Sequence, residues 1–440
     1  MMNLEDITQD ILDNLYDRSK KPITSKKYFE GIDPILVSIA ILALHDPIYK
    51  MTYTTYSVVE EQYQSMYDAA ISVLYEAEYY TDTTYVDGLL ESLDITKIGC
   101  TSLIDLLYIL ENTICKELYT DPVADVLAIL YIKYLETSKH KKSGIILTPN
   151  NICELMTRCL NLDSTSKIID MCSGTGSLIL NATRYMKSRY DIETSVASAV
   201  EMNKNMKLLL DINMIYRNNN TDIYTGSCFD DCICEDILKN KPNRVILNPP
   251  YSTPIKELKF IEHSLDQLEI GGIGVFIVPY NTLYFLNKID KAIRESIFSK
   301  HSLKAVCSAS ATIFEPSANI ATCICIWEAY VPQYNNSTLS TEPTYMADWR
   351  QATADLVAEE TMTDTAEKII EDCMEKYKAA TDIDNYSAVV YIEPNQEYIP
   401  EGYIHWVYTY PEQDYMDTIA AYKEYLIYAE ELYEKSNHDI

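Results

Sequence analysis

Seven short apolar runs alternate with helix-like segments in the middle of the chain, and this alternation restricts the fold more than any other feature. The runs have the length of buried strands: Lys167–Asp170, Ser195–Glu201, Asp222–Thr225, Arg244–Leu247, Ile273–Pro279, Leu303–Ser308 and Ala321–Trp327. Strands that alternate with helices predict an α/β fold with a largely parallel, doubly wound sheet. No helix-like segment separates the last two runs, so we expect the seventh strand to be antiparallel.

The flanks of this sheet region have a different composition. Residues 1–137 are predicted to form a helical N-terminal domain, because apolar residues recur there at helical spacing in Ile35–Leu44, Tyr67–Ala77, Leu103–Leu110 and Val123–Leu135. The sheet domain is predicted to cover 138–328, and the Pro-, Asn-, Ser- and Thr-containing stretch 329–346 to be a linker.

The remaining residues, 347–440, are predicted to form a small acidic α+β region. We expect a helix or helix pair between Gln351 and Ala380, and a small sheet formed by Val389–Pro394 and Tyr403–Tyr410. A further helix is expected at Asp414–Glu434, where apolar residues form one stripe. This stripe suits docking onto a partner protein or onto the core of the chain itself.

The net charge of −30 is distributed unevenly. Basic and acidic residues number 9 and 23 in 1–137, 21 and 20 in 138–330, and 6 and 23 in 331–440. Acidic flanks repel phosphate and cannot supply the counterion release that drives most nucleic-acid binding. Any contact with DNA is therefore expected from the central region or from a partner protein.

Several absences in the sequence predict a cytoplasmic protein with free thiols. The segment Met1–Asp6 is polar and acidic, unlike a signal peptide, and the run Ile35–Leu44 is too short to span a bilayer. Twelve cysteines show no disulfide framework. Cys228, Cys232 and Cys234 have metal-like spacing, but no fourth ligand accompanies them, so we expect no metal and no membrane association.

The first candidate binding element is the loop that follows the first predicted strand. That strand ends at Asp170, and a tight turn with Gly174 and Gly176 leads into a helix. Glycines allow a close approach of the backbone to a ligand, and such loops bind nucleotides at the carboxyl edge of parallel sheets. The loop lacks both the Gly-Lys-Ser/Thr of a phosphate loop and the third glycine of the dinucleotide fingerprint.

Two further positions flank this loop. Glu201 ends the second strand, where a carboxylate can accept both hydroxyls of a ribose, although an acid at a helix start is also common. Thr148 and Pro149 are expected to be the N-cap and first residue of a helix, whose start could hold an anionic group or be an ordinary helix start. This helix is predicted to bury Ile152, Leu155, Met156, Cys159 and Leu160.

The second candidate element is the corner Asn248-Pro249-Pro250-Tyr251, which ends the fourth strand. Two prolines hold the backbone rigid and remove two N–H donors. The side-chain oxygen of Asn248 and the neighbouring carbonyl groups can then accept hydrogen bonds from one amine, while the Tyr251 ring can stack on a flat group. An Asn-Pro turn that ends a strand is the simpler alternative.

Three features now stand in order along the chain: Asp-x-Cys-x-Gly-x-Gly, an acid that ends the next strand, and Asn-Pro-Pro-Tyr. This ordered set resembles that of S-adenosylmethionine-dependent adenine-N6 DNA methyltransferases. The modification subunits of type I restriction-modification systems are most similar. They share Thr148-Pro149, the pair Gly271-Gly272 before the strand that ends in Pro279, and the segment Ile313-Phe-Glu-Pro316. The resemblance covers residues 139–328, under half of the chain.

This resemblance implies a Rossmann-like seven-stranded methyltransferase sheet and a role for each motif residue. The methionine end of S-adenosylmethionine would be lined by Asp170, Cys172, Ser173, Gly174 and Gly176. Thr148 and Pro149 would close over the cofactor, and Glu201 would hold its ribose. Asn248 and the Pro249 carbonyl, in the corner completed by Pro250, would hold the N6 amine of an adenine flipped out of DNA, and Tyr251 would stack on that base.

One position departs from the family pattern. An acid just after the third strand usually contacts the adenine amine of the cofactor, but here this position is Ser227, with Asp230 and Asp231 following. The loop therefore either presents Asp230 or makes a weaker contact. The C-terminal region, with its net charge of −17, suits a major-groove reader poorly, so a separate DNA-specificity subunit is the expected partner.

Two alternatives to the DNA methyltransferase remain open. Protein-glutamine and RNA-base methyltransferases also use Asn-Pro-Pro-Tyr, so either could be the true class. The chain could also be an inactive methyltransferase-fold protein that binds partners through its acidic surface. Ser227 and the charge favour that third possibility, whereas Asp170, Glu201 and the complete Asn248–Tyr251 corner argue against it. The composition, rich in Tyr, Asn and Ile, suggests an AT-rich genome such as that of a phage.

Overall fold

A computed structural model describes residues 34–77, 100–112, 115–116, 118, 146–190, 197–251, 255–284, 288–315, 318–334, 340–359, 362–393 and 396–407. Its strands are β1 (Ile168–Asp170), β2 (Ala197–Glu201), β3 (Thr221–Thr225), β4 (Arg244–Leu247), β5 (Ile273–Pro279), β6 (Ser302–Ala309), β7 (Thr322–Glu328), β8 (Thr344–Asp348) and β9 (Ser387–Val390). All of them belong to one sheet, in the order β3-β2-β1-β4-β5-β7-β6-β8-β9.

The first seven strands confirm the predicted α/β fold. β1 pairs in parallel with β2 and with β4, and β2–β3 and β4–β5 are also parallel. β7 lies antiparallel between β5 and β6, as the missing helix before it predicts. The carboxyl ends of β1 to β5 therefore lie along one edge of the sheet.

Two further strands extend this sheet beyond the seven that were predicted. β8 pairs in parallel with β6, and it begins at Thr344, inside the predicted linker 329–346. β9 pairs antiparallel with β8, so residues 387–390 belong to the main sheet and not to the small sheet expected from Val389–Pro394 and Tyr403–Tyr410. Residues 403–407 form no strand, and 408–410 lie outside the described residues. Residues 344–347 are buried although they follow a polar stretch, because their neighbour β6 offers an unpaired edge that only the folded sheet creates. The division into domains remains a prediction.

Helices cover both faces of the sheet. In chain order they are α1 (Pro34–Ala43), α2 (Pro47–Thr52), α3 (Val59–Glu76), α4 (Cys100–Asn112), α5 (Asn150–Cys159), α6 (Ser177–Tyr190), α7 (Lys204–Tyr216), α8 (Asp231–Lys239), α9 (Glu257–Asp266), α10 (Tyr280–Tyr284), α11 (Lys288–Lys300), α12 (Arg350–Ala358) and α13 (Asp364–Ala379). The last two confirm the expected acidic helix pair.

The strands bury alternate residues on opposite faces. Ile246 and Val275 pack with α5, α6, α12 and α13, whereas Val245 and Phe276 pack with α8, α9 and α11. The five residues predicted to be the buried side of α5 are all buried. Coverage of the sheet on both faces explains why central strands such as β4 and β5 are nearly continuous apolar runs.

The N-terminal helices confirm three of the four expected helical stretches, and the fourth, Val123–Leu135, lies outside the described residues. α1, α3 and α4 form one apolar cluster with α7 of the sheet region. The Tyr216 hydroxyl donates to the Ile41 carbonyl oxygen at 2.6 Å across this contact. α7 is therefore the shared wall between the N-terminal helices and the sheet.

Among the described residues, no single helix has the length and hydropathy to cross a membrane. The helices at 35–43 and 47–55 meet those criteria only as a pair, and the chain bends by 94° between them.

α7 also contains a buried ion pair that is open to test. The Lys207 Nζ lies 2.8 Å from Asp211 Oδ2, and the two side chains are 1% and 0% exposed. We expect Lys207→Met to lower the free energy of unfolding by about 3–5 kcal/mol, because Asp211 loses the buried charge that neutralises it. Urea unfolding would measure this loss.

The matched control removes both charges. Lys207→Met combined with Asp211→Leu should recover most of the stability, since no buried charge then remains. A double variant as unstable as the single one would contradict the ion-pair explanation.

Candidate active site

A cavity of about 530 Å³ opens at the carboxyl ends of β1, β2, β3 and β4. The loops after these strands form most of its wall, and the segment before α5 closes one side. Ten of the predicted site residues line it: Thr148, Cys172, Ser173, Gly174, Glu201, Ser227, Asn248, Pro249, Pro250 and Tyr251. The fold thus brings into one cavity residues that are as far apart in the sequence as Thr148 and Tyr251.

The loop after β1 is held against the end of β2. The Ser173 N–H donates to the Val200 carbonyl oxygen at 3.0 Å, and the Gly174 N–H donates to Glu201 Oε2 at 2.8 Å. Gly174 has a φ of 56°, and a Cβ built there would meet no atom within 4 Å. Its backbone therefore faces open space in the cavity wall.

Glu201 is held in place by the backbone. Its Oε1 accepts a hydrogen bond from the Asn203 N–H at 2.6 Å, while its Oε2 accepts the one from Gly174. Burial raises the pKa of the Glu201 carboxyl above its ordinary value, and these backbone donors oppose that shift. Each carboxylate oxygen still has a lone pair with which it can accept a ligand hydroxyl.

Asp170 lies beneath this loop and is not part of the cavity wall. The side chain is fully buried, and Oδ1 accepts a hydrogen bond from the Cys172 N–H at 3.1 Å. Oδ2 is buried without a hydrogen-bond partner among the described residues. Burial raises the pKa of the Asp170 carboxyl to about 7. A buried acceptor directly behind a binding loop is suited to a positively charged or N–H-bearing ligand group.

The corner after β4 is fixed by a contact that the sequence does not reveal. The Asn248 Nδ2 donates to Thr148 Oγ1 at 3.0 Å. Because the amide nitrogen is used in this way, Oδ1 is the atom of the side chain that remains as an acceptor. The two prolines that follow have no N–H. They therefore cannot donate hydrogen bonds to the carbonyl oxygens of the corner.

Tyr251 closes the far side of the corner. Its hydroxyl donates to the Ile277 carbonyl oxygen on β5 at 3.2 Å. Its ring meets the ring of Phe314 edge to face, with centroids 6.2 Å apart. Phe314 lies in the Ile313–Pro316 segment that contributed to the family resemblance, so the fold joins two of the quoted motifs at one place.

Thr148 is not the helix cap that the sequence suggested. α5 begins at Asn150, and the N-cap residue is Pro149, whose carbonyl oxygen accepts from the Cys153 N–H at 2.9 Å. The prediction was one residue early because a Thr-Pro pair has the composition of a cap and first turn. Thr148 instead uses its hydroxyl to hold the amide of Asn248.

Three more predicted residues lie outside the cavity wall in addition to Asp170: Pro149, Gly176 and Asp230. A Cβ at Gly176 would overlap the side chain of Leu210 on α7, so this glycine allows the loop to pack closely against a helix. Asp230 caps α8 by accepting from the Cys232 N–H at 2.9 Å. The loop after β3 presents Ser227 to the cavity rather than an acid.

Several lining residues were missed by the sequence analysis. Met202 and Asn203 directly follow Glu201, and their position next to a predicted residue was the available signal. Phe229 and Phe260 line the side where an acid was expected, with ring centroids 5.0 Å apart. Phe260 belongs to α9, and nothing in the sequence links that helix to the cavity.

The buried Asp170 carboxyl predicts a pH dependence of the ligand-free protein. The unfolded chain ionises this group near its ordinary value of 3.8, whereas the folded protein keeps it protonated up to about pH 7. The stability that Asp170 contributes is therefore complete below about pH 4 and is lost as the pH rises through about 7, at roughly 1.4 kcal/mol per pH unit within this window.

Urea unfolding at a series of pH values would measure this effect as the difference between the wild type and Asp170→Asn. The variant, which cannot ionise, should lack that part of the slope. Identical slopes for both proteins would show that Asp170 is ionised in the folded state.

The family model described as N-6 DNA Methylase matches residues 120–257 and 254–399, which is well over half of the chain. The Type II restriction enzyme and methyltransferase RM.BcgI of Heyndrickxia coagulans is 26% identical over 250 residues, which cover 52% of this chain and 39% of that protein. The Type I restriction enzyme MjaVII methylase subunit of Methanocaldococcus jannaschii is 25% identical over 111 residues, which cover 25% of this chain and 19% of that protein.

The alignments thus span less than half the length of these two relatives. Among solved structures, a modification subunit of a putative type I restriction enzyme from Vibrio vulnificus has a TM-score of 0.61 at 12% identity, covering 89% of this chain and 93% of that one. The type I methyltransferase subunit from Streptococcus thermophilus has a TM-score of 0.56 at 18% identity, covering 88% and 96%. These structures share the fold, and the family match adds the sequence relationship. The chain belongs to the N-6 DNA methylase family.

Proposed function

We propose that this chain is an S-adenosylmethionine-dependent methyltransferase that methylates the N6 amine of adenine in DNA, as part of a restriction-modification or phage modification system. The observation that carries this proposal is the Asn248–Tyr251 corner. It lies in the wall of the same cavity as the glycine loop and Glu201. The membership of the N-6 DNA methylase family supports the proposal independently.

The residues of the cavity fit S-adenosylmethionine. Glu201 offers lone pairs for the ribose hydroxyls, and the open space at Gly174 allows the loop backbone to approach the ligand. The unpartnered Asp170 Oδ2 provides a buried acceptor behind the loop for the amino group of the methionine end. When bound, this cofactor supplies an electrophilic methyl group on a sulfonium.

The Asn248 corner would position the adenine amine. Asn248 Oδ1 and the Pro249 carbonyl oxygen accept the two N–H groups, which turns the nitrogen lone pair towards the methyl group. Because the Thr148 hydroxyl holds the amide and the prolines hold the backbone, this geometry exists before the substrate binds. Orientation of this kind can supply several kcal/mol of barrier reduction, about 7–11 in the best intramolecular cases.

Proton loss needs no protein base. Among the described residues of the cavity wall, Glu201 is the sole carboxylate, and it stands at the end of β2 rather than beside the corner on β4. A methylated amine that still carries its extra proton is strongly acidic and loses that proton to water. Asn248 and Pro249 therefore act by orientation and by stabilising the positive charge that develops on the N–H groups.

The target adenine would stack on the ring of Tyr251. Tyr251 is fixed through its hydroxyl on Ile277 and through Phe314, so its ring does not have to be ordered when the base arrives. A base can reach this corner only outside the DNA stack, which makes base flipping part of the proposal.

The adenine end of the cofactor would be bound without an acid. The loop after β3 presents the Ser227 hydroxyl and the Phe229 ring to the cavity, while Asp230 caps α8. Apolar contact with Phe229 and Phe260 would then replace a hydrogen bond to a carboxylate. A modest cofactor affinity is the expected consequence.

We also propose that DNA sequence recognition comes from a separate specificity subunit. Residues 331–440 carry 6 basic and 23 acidic residues, which is the wrong charge for tracking a phosphate backbone. The predicted apolar stripe at Asp414–Glu434, which would dock such a subunit, lies outside the described residues.

The direct test is methyl transfer from radiolabelled S-adenosylmethionine to unmethylated genomic DNA, with the protein alone and with the products of its neighbouring genes. Asn248→Ala should lower the rate roughly 10²–10³-fold, the size expected when one preorganised polar contact at a reacting group is removed. Cofactor binding, measured by calorimetry, should remain.

Label in DNA adenine that disappears in the variant would support the proposal. Cofactor binding without label in DNA, but with label in protein or RNA, would reassign the substrate class. No cofactor binding at all would favour the binding-protein alternative.

A second variant tests whether Thr148 positions Asn248. Thr148→Val removes the hydroxyl that accepts from the Asn248 amide, and kcat should fall about fivefold, since such a hydrogen bond contributes roughly 1 kcal/mol. Thr148→Ser keeps the hydroxyl and should retain most of the rate. Equal rates for both variants would mean that the 3.0 Å contact has no part in orienting the amide.

A further inference from the structure

The loop after β3 forms one side of the cavity with aromatic rings where an acid was expected. It presents the Ser227 hydroxyl and the Phe229 ring, and Phe260 of α9 lies beside them. The centroids of the Phe229 and Phe260 rings are 5.0 Å apart, and their planes are inclined by 58°. A base that is held mainly by ring contacts binds only as well as those rings are placed. The group that holds Phe229 therefore matters for this side of the cavity.

The side chain of His263 holds this loop from outside the cavity wall. Its Nε2 lies 2.7 Å from the Cys228 carbonyl oxygen, and because a carbonyl oxygen only accepts, this ring nitrogen carries the proton in the contact. The same imidazole lies against the Phe229 ring, with centroids 4.6 Å apart and planes inclined by 44°. His263 thus contacts two consecutive residues of the loop, one through a hydrogen bond and the next through its ring.

Two helices meet at the Cys228 carbonyl group. The Cys234 thiol on α8 donates to the same oxygen at 3.3 Å, and its sulfur lies 3.4 Å from His263 Nε2. Phe260 and His263 are three positions apart on α9, so they share one face of that helix, and both contact Phe229. The position of the Phe229 ring is therefore set by α9 as well as by its own loop.

We propose that His263 is a positioning residue for the cofactor. By donating to the Cys228 carbonyl oxygen and packing on Phe229, it holds this ring where it covers the adenine of S-adenosylmethionine. This role rests on the function proposed above. His263 takes part in no step of methyl transfer, because it lies behind the loop after β3, whereas the Asn248 corner stands at the end of β4.

Histidine combines the two properties that this position requires. A phenyl ring would pack on Phe229 but has no donor for the carbonyl oxygen, and a side-chain amide would donate but has no ring. Without the imidazole N–H, the Cys228 oxygen keeps only the weak thiol donor of Cys234. The loop would then lose its attachment to α9, and the Phe229 ring would be less well ordered before the cofactor binds, which lowers affinity.

The test compares His263→Asn with His263→Gln in the full chain. Glutamine can place its amide nitrogen where Nε2 stands, whereas the asparagine side chain is too short to reach the Cys228 carbonyl oxygen. Calorimetry should show S-adenosylmethionine binding weakened about fivefold or more in His263→Asn, and within about twofold of the wild type in His263→Gln. In methyl-transfer assays, the KM for the cofactor should rise in the same proportion, while kcat at saturating cofactor should stay unchanged.

A fragment of the cofactor locates the effect at its adenosine end. 5′-Methylthioadenosine contains adenosine and sulfur but lacks the amino and carboxyl groups of the methionine end. His263→Asn should weaken its binding by the same factor as that of S-adenosylmethionine, since both place an adenine beside Phe229. His405→Asn is the matched control, because the His405 side chain is 79% exposed and lies outside the cavity wall. Its affinity for both compounds should equal that of the wild type.

The outcomes separate this role from the function on which it rests. Unchanged cofactor affinity in His263→Asn, or equal weakening in both variants, would overturn the positioning role. A lower kcat with an unchanged KM for the cofactor would also overturn it, because the residue would then act on the reaction or on folding. A wild-type protein that binds neither S-adenosylmethionine nor 5′-methylthioadenosine would overturn the proposed function, and the role of His263 with it, before any variant is compared.

Discussion

The parallel pairing of β1 with β2 on one side and β4 on the other is the constraint on which the site depends. Parallel neighbours end at the same edge of a sheet, so the loops after these strands share one space. The glycine loop, Glu201 and the Asn248 corner are separated in sequence by about 25 to 50 residues each, yet they line one cavity for this reason. Had β4 been antiparallel to β1, the corner would lie at the opposite edge.

At this edge of the sheet, hydrogen bonds between loops fix the positions of the proposed binding groups. Glu201 accepts from Gly174, and Asn248 donates to Thr148, so each proposed binding group is held by a residue from a different segment. Such contacts order the side chains before a ligand arrives, which reduces the entropic cost of binding.

The net charge differs between the region that forms the cavity and the two flanks. The region that forms the cavity is nearly neutral, with 21 basic and 20 acidic residues in 138–330, while both flanks are acidic. The first part of the C-terminal region is nevertheless built into the sheet through β8 and β9. The acidic segment is therefore not simply an appended tail, since residues 344–390 complete the edge next to β6.

The amino-acid sequence predicted the seven strands, their alternation with helices, the antiparallel β7 and ten residues of the cavity wall. These features depend on local patterns: an apolar run needs two covered faces, and Gly, Pro and Asn restrict their own backbone. It did not reveal β8, whose pairing needs the open edge of β6, or the role of Thr148, whose partner is a hundred residues away. Nor did it show that Gly176 faces Leu210, that Asp230 caps α8 or that Phe260 reaches the cavity. These were decided by tertiary structure alone, because each depends on a neighbour that only folding brings into contact.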